Sequence, residues 1–258
     1  MADLPSAVRR QGWLVLPWTC ALVMILVQIT WVLVPAGQRG AVTVISVSAF
    51  LAASATHAAV TRGISWALGY LVITIGLGLL VEALGTATGV PFGPYTYSDD
   101  LGPRVLSVPL IIPMAWAMMA YPCLLVARSL TTSRLWTCLA GGWLLAAWDL
   151  FLDPQMVGEG YWIWQVTTPA LPGIPGIPAV NFAGWLVTGV LMMALLDLLP
   201  RREGSDVVPS VLIAWTYLSS ILASIAFFGR PWVGLWGALG MGIVLLPWGL
   251  QRWKAGRS

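Results

Sequence analysis

Charge in this chain is gathered into short clusters, and the stretches between them run uncharged and apolar for roughly twenty residues at a time, long enough as helix to cross ~30 Å of bilayer hydrocarbon. That spacing leaves few folds open. Charged residues are only 9% of the chain against 59% hydrophobic, and the mean hydropathy is +0.85. A water-soluble domain carries about a quarter charged residues, so this chain lacks the polar surface to face water on all sides. It reads as a single integral membrane domain over residues 1–258, an all-α bundle in the lipid bilayer of the cell membrane.

Hydropathy draws eight spans, at roughly 13–35, 40–61, 64–85, 105–127, 134–153, 181–199, 208–228 and 231–250. Arg9 and Arg10 precede the first apolar run as they would in a signal peptide. The run from Trp13 to Val34 exceeds the usual h-region, however, and is taken as a retained helix. The break at Phe228–Pro231 is short, which leaves one long kinked helix as the alternative to the last two spans. Basic residues test the count. With eight spans and both termini cytoplasmic, Arg9, Arg10, Arg62, Arg128, Arg134, Arg201, Arg202, Arg252, Lys254 and Arg257 fall inside, and Arg39, Arg104 and Arg230 outside: ten against three. Seven spans would leave the basic C-terminus outside. Of the sixteen tryptophans, Trp13, Trp18, Trp136, Trp232, Trp248 and Trp253 lie near span ends, where an indole is stable at the headgroup boundary.

The net charge of +3 is no sign of nucleic acid, because the basic residues are scattered in short loops without a stripe to track phosphates. Cys20, Cys123 and Cys138 lie in apolar stretches without C-x-x-C spacing and read as packed thiols. His57 has no partner of metal-ligand type nearby and reads as a helix-packing residue. Nucleotide-binding glycine loops, a nucleophile elbow, H-E-x-x-H and the D-D-x-x-D pattern of magnesium diphosphate enzymes are all missing from the sequence. The expected site therefore uses no cofactor and no metal.

The acids are uneven. Glu82, Asp99, Asp100, Asp149, Asp153 and Glu159 all map to the non-cytoplasmic side, where two long connections rich in Gly, Pro and aromatics lie. Long structured loops in compact proteins usually carry function. Glu82, near the end of the third span, is costly unless partnered or facing a wet cavity; the plainer alternative is a residue just beyond the helix. Asp149 and Asp153, four apart, share one helix face. Pro154 is expected to end that span, with Asp149 one turn inside and Asp153 at the lip; the plainer alternative is a structural pair that bonds loop backbone. Asp197 reads as a partner of Arg201. Asn181 suits an N-cap, and orienting a water or hydroxyl is the sharper possibility. Tyr95 and Tyr97, like Trp162 and Trp164, would each face one side of an extended segment, to line a pocket or to anchor at the interface.

Burial disfavours a carboxylate anion, so a buried carboxyl group can keep its proton near neutral pH and serve as a general acid. Protonating an isoprenoid double bond gives a tertiary carbocation, which aromatic faces stabilise. Acids with aromatics at a membrane boundary therefore suit hydration of an apolar alkene, or proton-initiated cyclisation if water is excluded. A lipid or small-molecule transporter is a third class, and it would show interrupted helices in matching halves.

The block Glu82–Gly85–Thr86–Gly89–Pro91–Phe92–Gly93–Tyr95–Tyr97 resembles the signature of the membrane-embedded carotenoid biosynthesis hydratases, of bisanhydrobacterioruberin and gamma-carotene hydratase type. Val108-Pro109, Pro113–Trp116, Asp149–Asp153-Pro154, Trp162–Trp164 and Gly176-Ile177-Pro178–Asn181-Phe182–Gly184-Trp185 are similar to the later blocks in order. The likeness runs over roughly residues 60–200, and the Leu171–Pro178 loop departs from the simpler family form. It implies addition of water to the terminal double bond of an acyclic carotenoid, giving a tertiary alcohol, and association with other enzymes of that pathway. On this reading Asp149 or Glu82 donates the proton and Asp153 with Asn181 positions water. Tyr95, Tyr97, Trp162 and Trp164 shape the pocket.

Overall fold

The computed structural model describes residues 14–257. Arg9, Arg10 and Trp13 lie outside the described residues. Eight helices are long and apolar enough to span a bilayer: α1 (Val15–Leu33), α2 (Gly40–Arg62), α3 (Ile64–Thr88), α4 (Ile111–Leu130), α5 (Arg134–Gly158), α6 (Ala179–Leu196), α7 (Val207–Phe227) and α8 (Pro231–Ala255). The protein is thus an all-α, multi-pass membrane bundle. The Phe228–Arg230 break separates α7 from α8, so the single kinked helix does not form. The last turn of α7, Ala223–Phe227, is wound as π-helix.

Nearly all of α4 is buried, and it touches α2, α3, α5, α6, α7 and α8, so it is the axis of the bundle. The outer helices α1 and α7 turn most of their side chains outward, as lipid-facing helices must. Close helix approach relies on small residues. A Cβ on Gly142 of α5 would stand 2.6 Å from the backbone nitrogen of Val190, so no larger residue fits the α5–α6 crossing.

The eighth helix runs five residues past its expected end, to Ala255, and at the loop end three span limits differ by three residues or more. The fourth helix starts at Ile111 instead of residue 105, because Arg104–Val105 (β2) and Val108–Pro109 (β3) form a small antiparallel hairpin. Leu106 and Ser107 carry its turn at φ 51° and 66°, the left-handed pair that tight hairpins need. The fifth helix does not stop at Pro154 but continues to Gly158. Proline removes only its own N–H, the donor to the Leu150 carbonyl, a loss that membrane helices tolerate; separately, the Arg230 guanidinium donates to the Pro154 carbonyl in the last turn. Asp153 therefore stands more than a turn from the helix end, and Asp149 more than two. The third helix runs on to Thr88, so Glu82 also lies within a helix and not beyond its end.

The two long connections fold onto one another. Tyr95–Tyr97 (β1) pairs antiparallel with Trp162–Trp164 (β4), with Tyr95 opposite Trp164 and Tyr97 opposite Trp162. Arg39, Arg104 and Arg230 all bond to this same end of the bundle, through Glu159, the Tyr97 and Ser98 carbonyls, and Pro154 respectively. Trp18, Trp136, Trp232 and Trp253 are exposed as interface residues would be. Trp248 is not among them; it is buried within α8, with Arg252 over its ring. The cysteines are free thiols, two of them buried. His57 is buried and bonded to the Tyr121 hydroxyl at 2.9 Å, a packing role as expected.

Candidate active site

Helix α3 turns one stripe toward α4 and the β1 strand: Gly78, Glu82 and Gly85, spaced as neighbours on a helix face. The two glycines leave room for rings on either side of the acid. A Cβ on Gly78 would sit 3.2 Å from the Trp116 side chain, and one on Gly85 would sit 2.9 Å from the Tyr95 oxygen. Glu82 is therefore clasped. The hydroxyls of Tyr95 and Tyr97 donate to its Oε2 at 2.5 and 2.6 Å, and the Trp116 indole donates to Oε1 at 2.9 Å. Every donor is neutral, and Glu82 forms no salt bridge among the described residues.

The strand period explains why two tyrosines reach one acid. Tyr95 and Tyr97 lie on the inner face of β1 with Thr96 outward, and on β4 Trp162 and Trp164 face inward while Ile163 is exposed. Burial first, then the neighbouring Glu82 carboxylate, holds both phenols above the ordinary tyrosine value of 10.0, so they remain proton donors. Across the pair, Tyr97 meets Trp162 edge-on at 5.7 Å, and Tyr95 lies 5.7 Å from Trp164.

The second acid group sits on α5. Asp149 and Asp153 are one turn apart and both buried. Asn181 donates through Nδ2 to Oδ2 of each, at 2.9 Å to Asp149 and more closely to Asp153. Trp162 Nε1 adds a bond to Asp153 Oδ1 at 3.2 Å. Asp149 Oδ1 has no hydrogen-bond partner among the described residues. Of the two readings of Asn181, the helix cap is not the one observed. The cap position is Pro178, and Asn181, two residues beyond the α6 start, points its amide inward between the carboxyl groups. A guanidinium would neutralise this pair; a neutral amide bridges it without fixing its charge.

These groups line one cavity of about 390 Å³. Glu82, Tyr95, Tyr97, Asp153, Trp162, Trp164 and Asn181 all border it. Asp149 does not. It lies behind Asp153 and borders a void of about 20 Å³, which shares Asp153 and Asn181 with the main cavity. Seven of the eight expected site residues thus meet in one space, and the eighth reaches it only through its neighbours. Sequence reasoning passed over Trp116 and Trp185, whose rings stack at 3.8 Å on the cavity wall, and Phe92, which packs against both. All three stand in the blocks that carry the family resemblance, where they drew no attention as apolar residues. The sequence also held no sign of the α1 and α7 residues that complete the lining.

The model of the carotenoid biosynthesis protein family matches residues 39–248, a range that contains all eight expected site residues but not the α1 part of the cavity lining. The chain belongs to that family. A bisanhydrobacterioruberin hydratase from Haloarcula japonica is 34% identical over 132 residues, covering 48% of this chain and 42% of the relative. The chain therefore spans less than half the length of that relative. No solved structure matches the chain.

Proposed function

We propose that the protein is an enzyme of carotenoid biosynthesis that hydrates the terminal double bond of an acyclic carotenoid end. What supports the reading above all is that buried acids from two helices meet only neutral donors at an aromatic-lined cavity. The hydratase name of the Haloarcula japonica relative points the same way.

In the step envisaged, a carboxyl group of the Asp149–Asp153 pair gives its proton to the less substituted carbon of the end alkene. The positive charge develops on the tertiary carbon, facing the stacked Trp116 and Trp185 rings, whose π faces stabilise a cation. Water adds to that carbon, and its surplus proton returns to the carboxylate pair, so no redox partner enters. Asp153 is the group of the pair that borders the cavity, which makes it the donor to the substrate. Asp149 exchanges the proton with it directly, carboxyl to carboxyl one turn apart on α5, while the Asn181 amide holds the pair together. Glu82, with both oxygens already bonded, acts as a fixed negative charge opposite the developing cation and holds Tyr95 and Tyr97 in place.

The test uses purified protein in lipid, an acyclic carotenoid and heavy-oxygen water. The expected product gains one water, with the label in a tertiary alcohol. An isomer of unchanged mass would instead mean proton-initiated cyclisation, and unaltered carotenoid would sink both readings. Hydroxyl-bearing lining residues, among them Thr43, Ser46 and Ser219, favour a wet cavity and therefore hydration.

A further inference from the structure

Where α1 and α7 form it, the cavity has an unusual wall. Of its lining residues, those exposed on the outside of the bundle are Ile29, Leu33, Leu222 and Phe227, two from α1 and two from α7. The helices meet at two bridging contacts. Trp215 donates to the Gln28 side chain at 2.7 Å, and Trp31 packs edge-on against Phe228 at 5.7 Å. Leu222 and Phe227 lie on α7 between those bridges, on the stretch where the helix changes to a π turn, a distortion often found at functional sites. Another part of the lining comes from β1 and β4 and the aromatic rings they turn inward.

We infer that the cavity opens sideways into the bilayer between α1 and α7, and that this opening holds the polyene stem of the substrate while its end group reaches the acids. The inference rests on the proposed function for the identity of the occupant. A space of about 390 Å³ encloses an end group, but not a linear polyene about as long as the ~30 Å hydrocarbon core. The remainder of the molecule must lie outside the bundle, and the apolar α1–α7 opening lets it stay in lipid. A carotenoid then enters end first without crossing the polar loops, and one end reacts at a time.

The experiment narrows the opening and compares a long with a short substrate. The Ile29→Trp/Leu222→Trp double variant fills it from both sides; Val72→Trp, on an α3 position that is exposed and does not line the cavity, is the control. The substrates are an acyclic carotenoid and a short acyclic terpene hydrocarbon with the same end alkene. The double variant is expected to lose at least about tenfold in carotenoid hydration and to keep terpene hydration within about twofold, with the control unchanged for both. Equal rates with both substrates, or an equal loss with both, would overturn the opening. Carotenoid retained on the purified protein is measured alongside. If the wild type makes no alcohol yet retains pigment, the proposed reaction fails; the opening then stands if the double variant loses the pigment and falls if it keeps it.

Discussion

The bundle buries acids at both ends, and the two ends treat them differently. At the end remote from the loops, Asp197 meets three guanidiniums, those of Arg128, Arg134 and Arg201 at 3.0, 3.3 and 3.4 Å, and Asp206 pairs with Arg62. At the loop end, Glu82, Asp149 and Asp153 are as buried as the Asp197 side chain but meet no cation: their partners are phenols, indoles, an amide and, within the aspartate pair, each other. A carboxylate among guanidiniums cannot lose its charge without stranding a buried cation, and is structural. One whose donors are all neutral can gain and lose a proton without stranding a buried cation. The acids thus serve as bolts at one end; at the other the Asp149–Asp153 pair can act as reagent, and Glu82, whose three donors favour its anion, as the charge opposite the cation.

The sharpest way to break that contrast is to neutralise one acid at each end. Asp153→Asn is expected to lower hydration by roughly 10²–10⁴, the usual share of a general acid, while the protein still purifies folded. Asp197→Asn should do the reverse and leave turnover near wild type. It strands Arg128, whose side chain is 9% exposed, and should cost about 3 kcal/mol, the low end for breaking a buried pair because Arg134 and Arg201 reach solvent. Labelling of the buried Cys123 thiol on heating reads the stability. If Asp153→Asn keeps its rate, or Asp197→Asn loses activity while still folded, the division of labour is wrong.

Next in size, Glu82→Gln keeps the shape of the clasp but removes its negative charge. A loss of about tenfold to a hundredfold in turnover is expected, with substrate retention little changed, if the charge acts on the cation. A rise in KM alone would make Glu82 a purely positioning residue. Trp116→Phe keeps an aromatic wall and deletes one donor to Glu82. It should cost on the order of 1 kcal/mol, about fivefold in rate.

The fold was largely legible in the sequence because span length and charge spacing are one-dimensional properties. Eight apolar runs gave eight helices, and the misplaced ends have local causes, the Leu106-Ser107 turn and the tolerated Pro154. The site was legible where polarity is costly: Glu82, Asp149 and Asp153 stand out in apolar surroundings, and strand alternation paired the tyrosines and the tryptophans. Partner choice was not legible. That Asn181 bridges two aspartates instead of capping its helix depends on how α5 and α6 cross, which turns on the Gly142 approach and on no periodic signal. Trp116 and Trp185 escaped because a membrane tryptophan has several ordinary uses. The α1 and α7 lining escaped because a helix that faces lipid on one side and a cavity on the other has the same apolar composition on both.

The smallest expected effect lies in the tyrosines and concerns alkaline pH. Both phenols are held above the ordinary value of 10.0 in the folded protein, chiefly by burial and then by Glu82, whereas an unfolded tyrosine ionises near that value. Their contribution to stability is therefore complete below about pH 10 and is lost as pH rises from there toward the folded value. Stability against pH should run flat through the neutral range, as far as these groups act, and fall above about pH 10. Tyr97→Phe removes one ionising group and one of the two hydroxyls on Oε2, so it should start about 1 kcal/mol lower and fall less steeply on the alkaline side. An alkaline limb as steep as the wild type's would mean that Tyr97 contributes no proton linkage, and its bond to Glu82 would then be packing geometry alone.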